Sequence, residues 1–336
     1  MTLAGRLVPI AAAAWLGFVI LQRLLSGRFW LWLIPDMVPP VIYLAAPVLL
    51  VVAGRFRRTT TILAAGSLLL GAGHGGLNVG AADQPPSAGA VRVFSWNTEY
   101  WHQDDDPGAF YRFLKDQRAD VYVLQEYMGW VAGRPEPVDD LPRLRREFPG
   151  YHVAAEGELL TLSRFPITAT RRVGPATALG PRPSWQEAFD LAKILRTDLL
   201  IGASTLSVYN VHIPVQAVLN VNPFAGLRSR SSHRDAQFRG LHADLDANPH
   251  AALVSGDFNS TGAMGEMRPL FDRMASANAA DDSLYPTSWY AGVLPLWQLD
   301  WTFTDGLEIH AYDLRDPRGQ SDHRAQSAVV SLVQAD

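Results

Sequence analysis

The chain has 336 residues, a formal net charge of −4 and no cysteine. The missing thiols exclude disulfides, thiolate metal sites and a cysteine nucleophile, and they leave the compartment open. Residues 91–336 hold 23 Lys+Arg against 31 Asp+Glu, a balance of −8, whereas the first 90 hold six Arg and two Asp; a domain at −8 has no global field that gathers a polyanion.

Three apolar runs come first, near 7–25, 36–53 and 61–79. A spanning helix takes roughly 17–25 mostly apolar residues, so these runs predict about three transmembrane helices in residues 1–80. A cleaved signal peptide is the rival for the first run. It needs a small-x-small site, and "LQRLLSGRFW" follows instead. The arginine cluster "GRFRR" at 54–58 assigns the second connection to the cytoplasm. The expectation is therefore a multi-pass protein that partners the lipid bilayer, with residues 91–336 extracytoplasmic. His74 is expected to pack between helices or to lie at the interface. Residues 81–90, "AADQPPSAGA", read as a linker.

From residue 91 the pattern changes. "VRVFSWN" (91–97), "DVYVLQE" (120–126), "AALVSGDF" (251–258), "LDWTFTD" (299–305), "LEIHAYDL" (307–314) and "AQSAVVSLV" (325–333) read as strands. Residues 151–173 read as a strand hairpin, and "EAFDLAKILRT" and "STLSVYNVHIP" as further strands. Residues 108–117 and 229–246 have helical spacing. This mixture predicts two packed sheets covered by helices. In "SGDFN", Asp257 and Asn259 stand two apart, and side chains at i and i+2 of a strand share a side.

Polar groups gather at the strand ends: Asn97, Glu126, His212, Asp257 and Asn259, Asp300, and Asp322 with His323. If those ends converge, the pocket is rich in oxygen and imidazole, which suits Mg²⁺ or Mn²⁺ rather than thiolate-bound zinc. A phosphate ester needs its charge neutralised and a water activated. Glu126 with Asn97 can hold a cation, and Asp257 can take a proton from water, with Asn259 orienting it. His212 and His323 can donate to phosphoryl oxygens, and Asp300 or Asp322 can fix the tautomer of His323. Arg234 and Gln237 can reach phosphate from the 229–246 helix, although a solvated face is the plainer reading. Tyr100, Trp101, Tyr127 and Trp130 can stack on a base, touch lipid or simply pack. Asp104–Asp106 reads as an exposed loop with Asp106 capping the helix that starts at Pro107.

The ordered series "FSWNTEYW", "VLQEY", "TLSRFPI", "YNVHIP", "SGDFNS", "LDWTF" and "SDHRA" resembles the endonuclease/exonuclease/phosphatase superfamily over roughly residues 91–333. The resemblance implies a four-layer α/β sandwich of two mixed sheets flanked by helices, and a hydrolase of phosphate esters that depends on Mg²⁺ or Mn²⁺. It implies metal binding by Glu126, Asn97 and Asp322. It implies catalytic roles for Asp257, Asn259, His212, His323 and Asp300, and phosphate contacts from His212, Asn259, His323 and Arg164. The substrate stays open between nucleic acid and a phospholipid or other small phosphate ester, with an inactive binding module as the non-enzymatic alternative. The loops at 129–142 and 213–228 are expected to set it.

Overall fold

The computed structural model describes residues 3–80, 84–87, 89–101, 106–216, 223–292 and 294–333. Two six-stranded mixed sheets form the body of the protein. Their strands in chain order are β1 (Val91–Asn97), β2 (Val121–Gln125), β3 (His152–Glu156), β4 (Leu159–Ser163), β5 (Ile167–Arg172), β6 (Ile194–Ile201), β7 (Ser204–His212), β8 (Ala251–Asp257), β9 (Ala275–Ser276), β10 (Asp300–Asp305), β11 (Leu307–Arg315) and β12 (Ala325–Leu332). The first sheet runs β11-β12-β1-β2-β4-β3 and the second β9-β10-β8-β7-β6-β5. Each has one parallel pair at its centre, β1 with β2 and β7 with β8; the other pairs are antiparallel.

The period of two along the strands decides what each face buries. Val91 and Val93 of β1 join Val121 and Val123, and meet Leu206, Val208 and Leu253 of the opposite sheet. The alternate residues Phe94 and Trp96 turn outward, under Phe110, Phe113 and Leu114 of helix Pro107–Asp116. On the far side Tyr209, Val211 and Val254 lie under Phe238, Leu241 and Leu245 of helix Pro223–Ala247. The result is helix, sheet, sheet, helix. Polar pins cross the central interface: the Asn210 amide donates to the carbonyls of Leu124 (2.9 Å) and Leu160 (3.0 Å), and Gln125 donates to Asn210 Oδ1 at 2.7 Å.

One expected strand is half helix. "EAFDLAKILRT" divides into helix Trp185–Leu191 and β6, because Ser184 and Glu187 form a reciprocal capping box that starts a helix. Two short hairpins, Met128–Val131 with Arg134–Pro137 and Trp289–Ala291 with Leu294–Trp297, were not legible as alternation. Asp106 caps its helix as expected, accepting from Ala109 N at 3.0 Å; Asp104 and Asp105 lie outside the described residues.

The first 80 residues correct the three-span expectation. They form helices Leu3–Leu25, Ile42–Ala53 and Arg58–Gly71, and among the described residues only the stretch Leu7–Leu25 is long and apolar enough to cross a membrane. At 1.5 Å per residue, helices of 12 and 14 residues fall well short of a hydrocarbon core of about 30 Å. Pro39 and Pro40 precede the second helix, and the glycines from Gly71 to Gly76 unwind the third run into a short 3₁₀ turn, Ala72–His74. The topology built on three crossings falls with them. His74, read as either helix-packing or interfacial, lies against the second helix, its ring 5.7 Å from that of Tyr43. Of the expected linker, residues 81–83 and 88 lie outside the described residues.

The end of the first helix and the segments that follow the first and third helices carry hydrogen bonds within this unit and to the sheet domain. Gln22 and Ser26 both donate to the buried carboxylate of Asp36, each at 2.6 Å, and Gly265 N donates to Ser26 Oγ at 2.7 Å. Asn78 donates to the carbonyls of Asn278 and Asp281 (2.8 Å each).

Candidate active site

Register brings the expected residues to one edge. The parallel pairs point their C-terminal ends the same way, so Asn97 stands beside Gln125 in one sheet and His212 beside Asp257 in the other. The antiparallel β10 starts where its neighbours end, which sets Asp300 opposite Asp257. The loop before β12 carries Asp322 and His323. It is tied to β1 by Ser321 Oγ donating to the Asn97 carbonyl (2.8 Å) and Trp96 Nε1 donating to that of His323 (3.0 Å). A cleft of about 500 Å³ opens there.

Asp257 lies at the centre of its floor. Its Oδ2 accepts from Asn97 Nδ2 (3.1 Å) and Asn259 Nδ2 (3.2 Å), and its Oδ1 accepts from Asn259 N (2.7 Å). Gly256 permits this packing, since a Cβ there would sit 2.0 Å from the carbonyl oxygen of Val211. The Nε2 atoms of His212 and His323 each stand 3.7 Å from the same Asp257 Oδ2. That distance is too long for a hydrogen bond.

Each imidazole has a carboxylate behind it. His323 Nδ1 is 2.8 Å from Asp300 Oδ2, which also accepts from Ser288 Oγ at 2.6 Å. His212 Nδ1 is 3.2 Å from Glu158 Oε1, and Glu158 is paired with Lys193 deep in the protein. Burial alone would lower both histidines. For His323, Asp300 and Asp257 outweigh it and push the ring up to about 10; for His212, Glu158 and Asp257 push it up to about 9. Burial lifts the Asp300 carboxyl to about 6 against the pull of His323.

Across the floor, Glu126 accepts from Asn97 Nδ2 (3.1 Å) and from Tyr100 N (3.0 Å), and burial raises its pKa. Asp322 accepts from Trp289 Nε1 at 2.8 Å, while its own N–H donates to Glu99 at 2.7 Å. Glu99, Tyr100, Glu126 and Asn259 all carry positive φ, between 46° and 68°, without being glycine. Such strain gathers where the surroundings fix a side chain for a purpose.

Two expectations about arginine are corrected. Arg164 follows β4, whose Ser163 pairs with Val121 at the start of β2, the edge remote from Glu126. It binds Asp120 (3.3 Å) and the Tyr151 hydroxyl (2.8 Å), not the cleft. Arg234 is neither a phosphate ligand nor solvated. It is fully buried, paired with Glu266, and donates to Ser260 Oγ (2.6 Å) and the Asn259 carbonyl (3.2 Å). It therefore pins the loop that carries Asn259. Gln237 is likewise buried, donating to the carbonyl of Leu191 at 3.0 Å. Of the aromatic residues, Trp101 and Tyr127 pack in the core, whereas Tyr100 and the half-exposed Trp130 lie against each other at the cleft, 5.3 Å apart.

Residues 94–323 match the Endonuclease/Exonuclease/phosphatase family. The chain belongs to that family. Solved structures of similar fold include an endonuclease/exonuclease/phosphatase from Bacteroides vulgatus, with 16% identity, TM-score 0.50, and coverage of 72% of this chain and 99% of that one. A family protein from Leptotrichia buccalis matches with 13% identity and TM-score 0.51, over 72% of this chain and 100% of that one. A 3′ phosphatase from Neisseria, bound to a product DNA hairpin, matches with 14% identity and TM-score 0.52, over 71% and 98%. No curated protein matches the chain.

The endonuclease/exonuclease/phosphatase site can hold a metal ion. Asp257, Asp300 and His323 bring ligand atoms within 4.8 Å of one another. Glu126, Asp257 and Asp322 crowd the cleft, and among the described residues their ion-pair partners within 4 Å are the two histidines. Several carboxylates with an amide oxygen nearby are the donor set of a hard divalent cation. Glu158 and Lys193, behind His212, escaped the sequence reading. Their signal was faint: the second of two glutamates in "EGELLTL" and a lone base in "DLAKIL", each beside an apolar run.

Proposed function

We propose that the chain is a divalent-metal-dependent phosphodiesterase held to a membrane by its first helix. One observation carries the chemistry: Asp257 Oδ2, fixed by two amides, faces two imidazoles at equal distance. Asp257 takes a proton from the attacking water, and Asn259 holds that carboxylate in place. His212 and His323, both charged near neutral pH, donate from Nε2 to phosphoryl oxygens. Asp300 keeps the His323 Nδ1 proton in place. Glu126, Asn97 and Asp322 would hold the cation, Mg²⁺ or Mn²⁺. That leaves Asp257, Asp300 and His323, although their ligand atoms also lie within 4.8 Å of one another, to the proton chemistry. When bound, that ion supplies Lewis-acid neutralisation of the phosphoryl charge.

Residues 91–336 are read as the catalytic unit, and 1–80 as an anchor docked on it. Helix Leu3–Leu25 is retained rather than cleaved, because its loss would strip Asp36 and Gly265 N of Gln22 and Ser26. Intact mass of the membrane-extracted protein tests this: a species beginning beyond Ser26 would refute retention. The chemistry is tested with the full chain and bis(p-nitrophenyl) phosphate. Hydrolysis is expected to need Mg²⁺ or Mn²⁺, to stop with EDTA, and to fall by about 10³-fold or more in Asp257→Asn. A rate indifferent to both would overturn the reading.

A further inference from the structure

The cleft has two unlike surfaces. Its floor holds the carboxylates and imidazoles. Its walls include Met37, Val215, Met264, Trp289, Trp297 and Leu299. Among the described residues, no lysine or arginine lines it: its ionisable lining is five carboxylates, the two histidines and Tyr100. The groove adjoining it at Tyr100 and His212 contributes Lys193, already paired with Glu158, and Arg230. A strand of nucleic acid is held by neutralising successive phosphates and by a basic groove that tracks its backbone. This cleft offers nothing of the kind. It suits one phosphate flanked by apolar bulk.

The apolar wall is continuous with the membrane-side unit. Met37 lies in the segment that follows the first helix, where Phe29, Ile34, Met37 and Val41 all expose apolar side chains. Trp297 Nε1 donates to the Met37 carbonyl at 3.0 Å. Trp297 meets Trp289 edge-on at 5.6 Å, and Trp289 binds Asp322 in the floor. Thus one chain of contacts runs from the apolar segment to the carboxylates. Indole pairs with an apolar body and one polar N–H favour the water–lipid boundary.

We infer that the substrate is an amphiphilic phosphodiester, a phospholipid presented by the bilayer, with Met37 and Trp297 as the residues that select it. The inference rests on the phosphodiesterase reading above. In the reaction the water oxygen bonds to phosphorus and one phosphorus–oxygen ester bond breaks. The proton taken by Asp257 is matched by one delivered to the leaving oxygen, giving an alcohol and a phosphomonoester.

The test uses the full chain, reconstituted with Mg²⁺, on three substrates. These are vesicles of equal parts phosphatidylcholine, phosphatidylglycerol, phosphatidylinositol and sphingomyelin; soluble bis(p-nitrophenyl) phosphate; and supercoiled plasmid. Vesicle lipid is expected to be hydrolysed in an Asp257-dependent way, faster than plasmid is nicked. Met37→Asp and Trp297→Ser are expected to lower the ratio of vesicle to soluble-ester turnover by about tenfold or more. Asp257-dependent hydrolysis of the soluble ester with untouched vesicles would overturn the lipid assignment and leave the phosphodiesterase reading standing. Plasmid nicked faster than lipid is cleaved would overturn it in favour of nucleic acid. An unchanged ratio in both variants would remove Met37 and Trp297 from selection.

Discussion

Two histidines face one oxygen of Asp257, and they are built differently. His323 leans on Asp300, a carboxylate from a neighbouring strand of the opposite sheet that has no cation of its own. His212 leans on Glu158, a carboxylate whose charge is already balanced by Lys193. The first arrangement leaves the acid and the imidazole to compensate each other. The second anchors the imidazole to a buried ion pair that exists without it. The difference teaches that the same ring orientation can be reached by direct pairing or by borrowing a structural salt bridge, and that the two should fail in different ways.

Of the changes that separate the two histidines, the largest expected effect comes from Asp300→Asn. The amide can present the wrong hydrogen-bonding atom to Nδ1 and mis-set the His323 tautomer. In catalytic triads the analogous change costs up to about 10⁴-fold in kcat, so a loss of roughly 10²–10⁴-fold is expected here with little change in melting temperature. Steady-state kinetics with thermal unfolding checks it; a mild kinetic effect would mean that His323 does not act through that pair. On the other side, Glu158→Gln leaves the Lys193 cation buried alone and should cost roughly 3–5 kcal/mol of stability as well as activity. The double variant Glu158→Gln, Lys193→Met is expected to recover most of the stability, yet not the activity, because His212 still lacks its carboxylate. Recovery of both would reduce Glu158 to a packing element.

The smallest effects are in pH dependence, and they have opposite signs. Burial works against the Glu158 charge, but Lys193 and His212 win and hold its pKa at about 2, below the 4.5 of the free side chain. Its contribution is present above pH 4.5 and is lost as pH falls toward 2. Asp36 is the unpaired counterpart. Burial raises it from 3.8 to about 6 against the bonds from Ser26 and Gln22. The folded state therefore holds its proton more tightly than the unfolded one. Stability is complete below 3.8 and declines as pH rises toward 6, by at most roughly 3 kcal/mol. Melting temperatures across pH 2–7 should show an acid limb removed by the Glu158, Lys193 double change, and a decline between pH 4 and 6 removed by Asp36→Asn. Limbs that survive those changes would assign the slopes to other groups.

Legibility follows the range of the interactions. Strand ends such as Asn97, Asp257 and Asp322–His323 could be found because a short apolar run stopped at a polar pair, and because their order matched a family. Arg164 misled because a motif gives sequence neighbourhood, whereas the antiparallel pairing of β4 with β2 carries it to the remote edge. Arg234 was unreadable for another reason: a fully buried guanidinium is rare, and only the partners Glu266, Ser260 and Asn259, distant in sequence, make it tolerable. The apolar runs before residue 80 were counted by composition, and glycine and proline then cut the helices short.

By itself the sequence determined the family, the two-sheet body and the polar set at the strand ends, since these depend on local pattern; its three expected membrane spans were cut to one helix of sufficient length only by the structure. Only the tertiary structure decided that Asp36 and Met37 line the cleft, that Glu158 and Lys193 stand behind His212, and that no lysine or arginine lines the cleft among the described residues. Those facts depend on which distant segments pack together, and the packing is set by burial of faces whose partners no local pattern names.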